Sequence, residues 1–289
     1  MSQGKVAPPG ACDTHVHVIG PKDRYPLVSV RTYTPQDAPL PALRRMLSRL
    51  GMDRVVLVQP SVYGTDNRCL LDALDELGPA GRGVAVLPVD APASVLDDCH
   101  RRGVRGLRLN IATFGEARAD AIRERFAATA SLCARHGWHV QLYLPVSLIV
   151  PLAPILREIP VPVVIDHFGL VSPERLEDQP CRTLRALLAE GRVWVKLSAP
   201  YRLSEDPFDP RIAPLAQHLA DANPAQVVWG SDWPHTPPHG TVPIASNQEG
   251  PYRDLDTEAL LAATANWFDG PRQRRLMLVD NPARLYGFS

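Results

Sequence analysis

Apolar residues along this chain gather in eight short, nearly unbroken runs. They are ACDTHVHV (11–18), DRVVLVQP (53–60), GVAVLPVD (83–90), GVRGLRLN (103–110), HVQLYLP (139–145), PVVIDHF (162–168), VWVKLSA (193–199) and QVVWGSDW (226–233). Each is rich in Val, Leu or Ile and bounded by Gly, Pro or polar residues, as strands are. Continuous rather than alternating apolarity fits parallel strands buried on both faces. Between the runs the apolar period lengthens to three or four. LPALRRMLSRLG (40–51), ADAIRERFAATASLCARHG (119–137), LREIP (156–160), RTLRALLAEG (182–191), DTEALLAATANWF (256–268) and PRQRRLMLVDNPARLYGF (271–288) read as helices, several of them stopped by Gly or Pro.

Eight strand-then-helix rounds predict an α/β protein, a somewhat distorted (β/α)8 TIM barrel formed as one domain over 1–289. An open doubly wound sheet is the alternative, but no G-x-G-x-x-G follows the first run. A barrel of this kind carries its chemistry at the C-terminal ends of the strands, and there the polar residues collect. His15 and His17 stand at the first end and Gln59 and Ser61 at the second. Arg105 and Arg108 stand at the fourth, Gln141 and Tyr143 at the fifth, Asp166 and His167 at the sixth. Lys196, Ser198, Tyr201 and Arg202 follow at the seventh, Asp232 and His235 at the eighth. The strand period of two places His15 and His17 on one face. One strand-end histidine is ordinarily structural, but ionisable groups at strand after strand must be paired or used, so a shared site is expected. His100, His136 and His218 fall in helical patterns and read as surface residues. Asp13 reads as an orienting partner of the first-strand histidines, and Asp97 and Asp98 as an exposed helix start.

Charge and composition narrow the partners. Lys plus Arg is 31 and Asp plus Glu is 31, so no net field recruits nucleic acid or an anionic membrane. Five cysteines, odd in number and without C-x-x-C, read as reduced buried thiols. The longest apolar stretch, VSLIVPLAPIL, is too short and Pro-broken to span a bilayer. MSQGKVAPPG lacks the apolar core of a secretory signal. A cytoplasmic protein acting on a small anionic molecule is expected, with no nucleic-acid or membrane partner; nothing sets an oligomeric state.

DTHVHVIGP, IDHFG and GSDWPH, in that order, resemble the amidohydrolase superfamily. YTPQDAP, VQPSVYGTDN, VRGLRLN and NPARLYGF narrow the likeness to its lactonase branch, the 2-pyrone-4,6-dicarboxylate lactonases. The likeness covers nearly the whole chain. It implies that Asp232 is the general base and that His15, His17 and His167 surround the scissile lactone carbonyl. It implies that Arg108 and Arg202 bind substrate carboxylates, with Tyr33, Ser61, Tyr143 and His235 as further contacts. Arg105 is a further candidate for the anion site. Tyr63 departs from the pattern, since such lactonases carry a His soon after the second-strand Ser, and it changes a wall of the pocket.

The chemistry matches those residue types. Water attack on an ester carbonyl needs a base, donors to the oxyanion, and a grip on the substrate; an arginine fork suits carboxylate. The expectation is therefore hydrolysis of a carboxylated lactone without a cofactor, as in the lactonases it resembles. Strands four and five end in Arg, Asn, Gln and Tyr, not in the bridging ligands of a binuclear centre. One Zn²⁺ on His15, His17, His167 and Asp232 is the alternative, in a zinc-dependent hydrolase or decarboxylase of the same superfamily. A sugar-acid lactone hydrolase or isomerase, and a non-catalytic anion sensor, are the other readings.

Overall fold

The computed structural model describes residues 7–113, 118–237, 248–268 and 270–289. Eight strands, β1 (Cys12–Val16), β2 (Arg54–Val58), β3 (Gly81–Ala85), β4 (Val104–Asn110), β5 (His139–Tyr143), β6 (Val163–Ile165), β7 (Val193–Ser198) and β8 (Val227–Gly230), pair in sequence order in one parallel sheet. The helices are α1 (Leu40–Leu50), α2 (Arg68–Leu77), α3 (Ala93–Arg101), α4 (Ala119–Ala134), α5 (Ile149–Glu158), α6 (Gln179–Ala189), α7 (Ile212–Ala222) and α8 (Thr257–Ala263). The sheet curls until its ends meet. Thr14 Oγ1 donates to Trp229 O at 2.7 Å, Asp232 N–H to His15 O at 2.9 Å and His17 N–H to Trp233 O at 2.8 Å. The expected barrel is the observed one.

Two expectations are corrected. The third strand ends at Ala85, not at residue 90. Val86 leaves the sheet because the Asn67 carboxamide takes both its backbone groups: Val86 N–H donates to Asn67 Oδ1 at 3.0 Å and Asn67 Nδ2 donates to Val86 O at 2.8 Å. Pro88, two residues on, has no N–H with which to resume a ladder. Helix α2 lies where the pattern singled out none, and α3 begins at Ala93, before the Asp97 and Asp98 that read as its start. The buried stripes of these two helices are narrow, Cys69, Leu70, Ala73 and Leu74 on one and Leu96 and Cys99 on the other. The segment 271–288 is helical as expected, with a π-type wide turn at Leu276–Asp280 just before Pro282, whose ring would crowd the carbonyl of an α-helical turn.

Inside the barrel the floor is apolar. Cys12, Val56, Val58 and Val84 pack with Tyr286, the last residue of the C-terminal helix, and with Phe288 beyond it, and Val164, Trp194 and Val228 form a second cluster. Two residues further along β4, β5 and β7 the inward face turns polar: Arg108 follows Gly106, Gln141 follows His139 and Lys196 follows Trp194. β1 breaks this parity. Its register against β2 slips between Asp13 and Val16, and that irregularity turns His15 and His17 to the face that Cys12 occupies below. Gly230 lets the β1 backbone come close, since a Cβ there would lie 2.5 Å from His15 Cβ and 2.8 Å from His15 N.

Gly230→Ala should therefore cost about 1–3 kcal/mol, the usual range for overpacking, and lower turnover by displacing His15. Guanidinium unfolding and kcat measure the two effects; a variant with wild-type values of both would show that the close approach positions nothing.

Candidate active site

A narrow throat at the C-terminal mouth of the barrel is lined by His17, Tyr33, Ser61, Asn110, Arg108, His167, Arg202, Asp232 and Thr236. It has room for roughly one water molecule, about 10 Å³. His15 lies beneath it, fully buried. Two residues that aim side chains here have left-handed backbone, with φ of 54° at His167 and 60° at Asp232, as has Ala199 just before Tyr201 and Arg202, with φ of 50°. Such conformations cost of order 1–3 kcal/mol each for non-glycine residues and concentrate at functional sites.

Buried charges are paired with one another below and beside the throat. Asp232 Oδ2 accepts from Arg202 Nε (3.1 Å), Arg202 Nη2 (2.8 Å) and Tyr201 OH (2.7 Å). Arg202 Nη2 also donates to Thr236 Oγ1 at 2.9 Å. Asp166 is the second hub. Its Oδ2 accepts from Gln141 Nε2 at 3.0 Å and faces Arg108 Nη2 at 3.5 Å, and its Oδ1 lies 3.8 Å from Lys196 Nζ. Lys196 donates to Thr14 O at 2.8 Å and to Gln141 Oε1 at 2.7 Å. Burial lowers the Lys196 pKa to about 8 against the pull of Asp166, so the ammonium persists at neutral pH. Burial would raise both carboxyls, but His15, Lys196 and Arg108 hold Asp166 below its ordinary value. The Arg202 guanidinium holds Asp232 well below it. Three cations, Arg108, Arg202 and Lys196, face Asp166 and Asp232, and the buried Asp13, which accepts from Ser231 N–H at 2.9 Å, stands within electrostatic reach of Lys196.

Hydrogen-bond partners assign the imidazole protons. His17 Nδ1 lies 2.7 Å from Val58 O; a carbonyl only accepts, so Nδ1 carries the proton and Nε2 presents a lone pair in the neutral ring. That lone pair faces Asp232 Oδ1 at 3.4 Å. His15 Nδ1 lies 3.4 Å from both Lys196 Nζ, which only donates, and Asp166 Oδ1. Against Lys196 the His15 proton sits on Nε2, 3.5 Å from Asp232 Oδ1; against Asp166 it sits on Nδ1 and Nε2 becomes a ligand atom. His167 is fixed by Ser198 Oγ at 2.8 Å from its Nδ1.

His15 Nε2 and Asp232 Oδ1 are buried without a hydrogen-bond partner, an arrangement that costs about 1–3 kcal/mol per group and calls for a polar guest. His15, His167 and Asp232 each offer a ligand atom within 4.8 Å of the others. Two imidazoles and a carboxylate fit one divalent ion such as Zn²⁺, so the geometry does not carry the expectation of a cofactor-free site. His17, expected as a fourth ligand, stands outside that group and beside Asp232.

The structure thus brings together His15, His17, His167, Asp232, Arg108, Arg202, Tyr33 and Ser61. Tyr143 belongs with them: its ring meets His167 edge-on at 5.0 Å and lies 5.7 and 5.8 Å from the Arg108 and Arg202 guanidinium carbons. Two placements are corrected. Arg105 is three residues from Arg108, so it faces the opposite side of β4; it donates to His100 O and Val104 O near the strand's start. His235 stands behind the throat, 3.5 Å from Tyr201 OH and 2.8 Å from Thr257 Oγ1 on α8. Tyr63, the point of departure, is buried with its hydroxyl accepting from Gly20 N–H at 3.1 Å. Asn110 and Thr236 were missed, although each is a polar residue just at or beyond a strand end.

A sequence profile of the amidohydrolase family matches residues 12–288. The chain belongs to the amidohydrolase family. This amidohydrolase is 35% identical to the 4-sulfomuconolactone hydrolase of Hydrogenophaga intermedia, over 98% of its own length and 90% of that protein. It is 32% identical to a 2-pyrone-4,6-dicarboxylate hydrolase of Comamonas testosteroni, over 96% and 90%. The crystal structure of a putative 2-pyrone-4,6-dicarboxylic acid hydrolase from Pseudomonas putida superposes with a TM-score of 0.81, at 31% identity and over 98% and 99% of the two chains. These names agree with the expectation of a hydrolase that acts on a lactone ester. Among the described residues no helix is long and apolar enough to cross a membrane.

Burial keeps four histidines of this amidohydrolase neutral: the pKa falls to about 3 at His15 and His139 and about 4 at His235, and well below the ordinary value at His167. Unfolded, each binds a proton below pH 6.5, so stability falls as pH drops from 6.5 toward 4. Asp13, raised by burial to about 6, works the other way in that window. Unfolding near pH 5 should take up roughly three protons net. Urea titrations at stepped pH check this; stability constant between pH 7 and 5 would contradict it.

Proposed function

We propose that this amidohydrolase hydrolyses a lactone bearing acidic substituents by adding water to the ring carbonyl. The observation that carries the reading is Asp232: one oxygen is pinned by Arg202 and Tyr201, and the other faces a throat of about one water's volume among His15, His17 and His167. A water there meets the lone pairs of Asp232 Oδ1 and His17 Nε2. Its oxygen bonds to the carbonyl carbon as its proton passes to Asp232. His15, with its proton on Nε2, donates to the developing oxyanion. The ring C–O bond then breaks, and the proton on Asp232 goes to the departing oxygen, which leaves an open-chain hydroxy acid or its tautomer. Arg108, which lines the throat and has a buried Nε–H without a partner, binds a carboxylate of the substrate. Arg202 holds the base rather than the substrate. Its two hydrogen bonds keep Asp232 ionised and aimed, which trades basicity for position.

One divalent ion on His15, His167 and Asp232 is a second reading, favoured by the 4.8 Å convergence of their ligand atoms. Such an ion, when bound, polarises the carbonyl and acidifies water. In that case His15 carries its proton on Nδ1, toward Asp166.

The test is hydrolysis of 2-pyrone-4,6-dicarboxylate and of sulfonated and carboxylated butenolides, followed by loss of ring absorbance with and without chelator. Turnover untouched by chelator supports the first reading, and turnover lost and restored by Zn²⁺ supports the second. If no lactone opens, both fail. Asp232→Asn should lower kcat about 1000-fold, the scale of losing a central catalytic group. Arg108→Gln should act mainly on KM and Arg202→Gln mainly on kcat. Equal effects of the two arginine variants on KM would return Arg202 to the role of substrate clamp.

A further inference from the structure

The throat is too small for a lactone ring, so the body of a substrate must lie elsewhere. A cavity of about 280 Å³ opens beside it and shares Ser61, Arg108 and Asn110 with it. That is close to the lower end of the range for small-ligand pockets. One wall is aliphatic, made by Val86, Leu87 and Val89 from the segment that leaves the sheet after β3. The facing wall is α4, which contributes Thr129 and, at the outer end, the exposed Arg125. The cavity exists because β3 stops early: Asn67 ties down Val86 and turns the chain outward. Val89 is 53% exposed, a large aliphatic residue on a pocket rim.

The geometry points to a substrate whose lactone carbonyl enters the throat while a hydrocarbon arm lies along Val86, Leu87 and Val89 and ends in an acidic group at Arg125. This rests on the lactonase reading and narrows it to lactones with an extended acidic arm. The apolar wall recognises the arm's methylenes, each gaining about fourfold in affinity on burial. Arg125 recognises its end by charge, and Arg108 the carboxylate next to the ring. None of these contacts touches the reacting atoms, so they act on substrate choice.

Three γ-lactone carboxylates serve as probes: the bare ring, the ring with a butyl arm, and the ring with an ω-carboxybutyl arm. The expected order of kcat/KM is carboxybutyl over butyl over bare. Val89→Trp, which fills the mouth, should lower kcat/KM by about tenfold or more for both armed lactones, by lost methylene burial, and leave the bare ring unchanged. Arg125→Gln should cost up to about fivefold for the carboxybutyl lactone alone, the scale of one exposed charge pair. Calorimetric binding of the three ring-opened acids to wild type and both variants repeats the comparison without turnover. If no lactone is hydrolysed but the armed acids bind better and respond to the variants, the lactonase reading fails and the cavity assignment stands. Equal kcat/KM and equal Kd for all three probes, equal losses across them in the variants, or no binding of any of them, overturns the cavity assignment.

Discussion

Pairing charge inside an aliphatic barrel is the constraint on which this structure depends. Arg108, Asp166, Lys196, Arg202 and Asp232 are almost wholly withdrawn from water, and an ion moved into such surroundings loses several kcal/mol of hydration even after relaxation. Each is therefore tied to neighbours on other strands. Lys196 reaches from β7 to β1 and β5, Asp166 from the end of β6 to β5 and β4, and Arg202 from the end of β7 to the end of β8. The pairing leaves little freedom to rearrange, which is what a preorganised polar site requires.

The same constraint separates two arginines that look alike in the sequence. A guanidinium can hold a substrate or hold a base, and its geometry decides which. Arg202 spends Nε and Nη2 on Asp232 and Thr236. Arg108 is held more loosely, by Gln59 O at 3.2 Å and by Asp166 at 3.5 Å. His15 shows a similar division. Lys196 and Asp166 stand equally far from its Nδ1 and ask for opposite tautomers, one suited to donating a hydrogen bond and the other to holding a metal.

Most of the barrel was legible in the sequence because parallel strands buried on both faces leave a signal that little else imitates. The strand-end residues were legible for the same reason: a charge in an aliphatic run is conspicuous. Counting by twos would have rejected Arg105, since it and Arg108 cannot share a face of β4. The slip in β1 could not be counted out, because it depends on how Asp13 bonds the Ser231 and His15 amides. The early end of β3 hangs on a single distant carboxamide, and α2 and α3 carry too few buried residues to set a period. Lys196 was visible as a polar strand residue, but its partners come from three other strands that only the closed barrel brings within reach.

Closure itself has a consequence for folding. The contacts that seal the ionic axis join residues 182 and 215 positions apart, Lys196 with Thr14 and Thr14 with Trp229. Contacts so distant in sequence form late, after much loop entropy has been lost. Burying Lys196 and Asp166 costs hydration that their cross-strand partners offset only in the closed barrel, so the groups that organise the site should also make refolding depend on salt and pH.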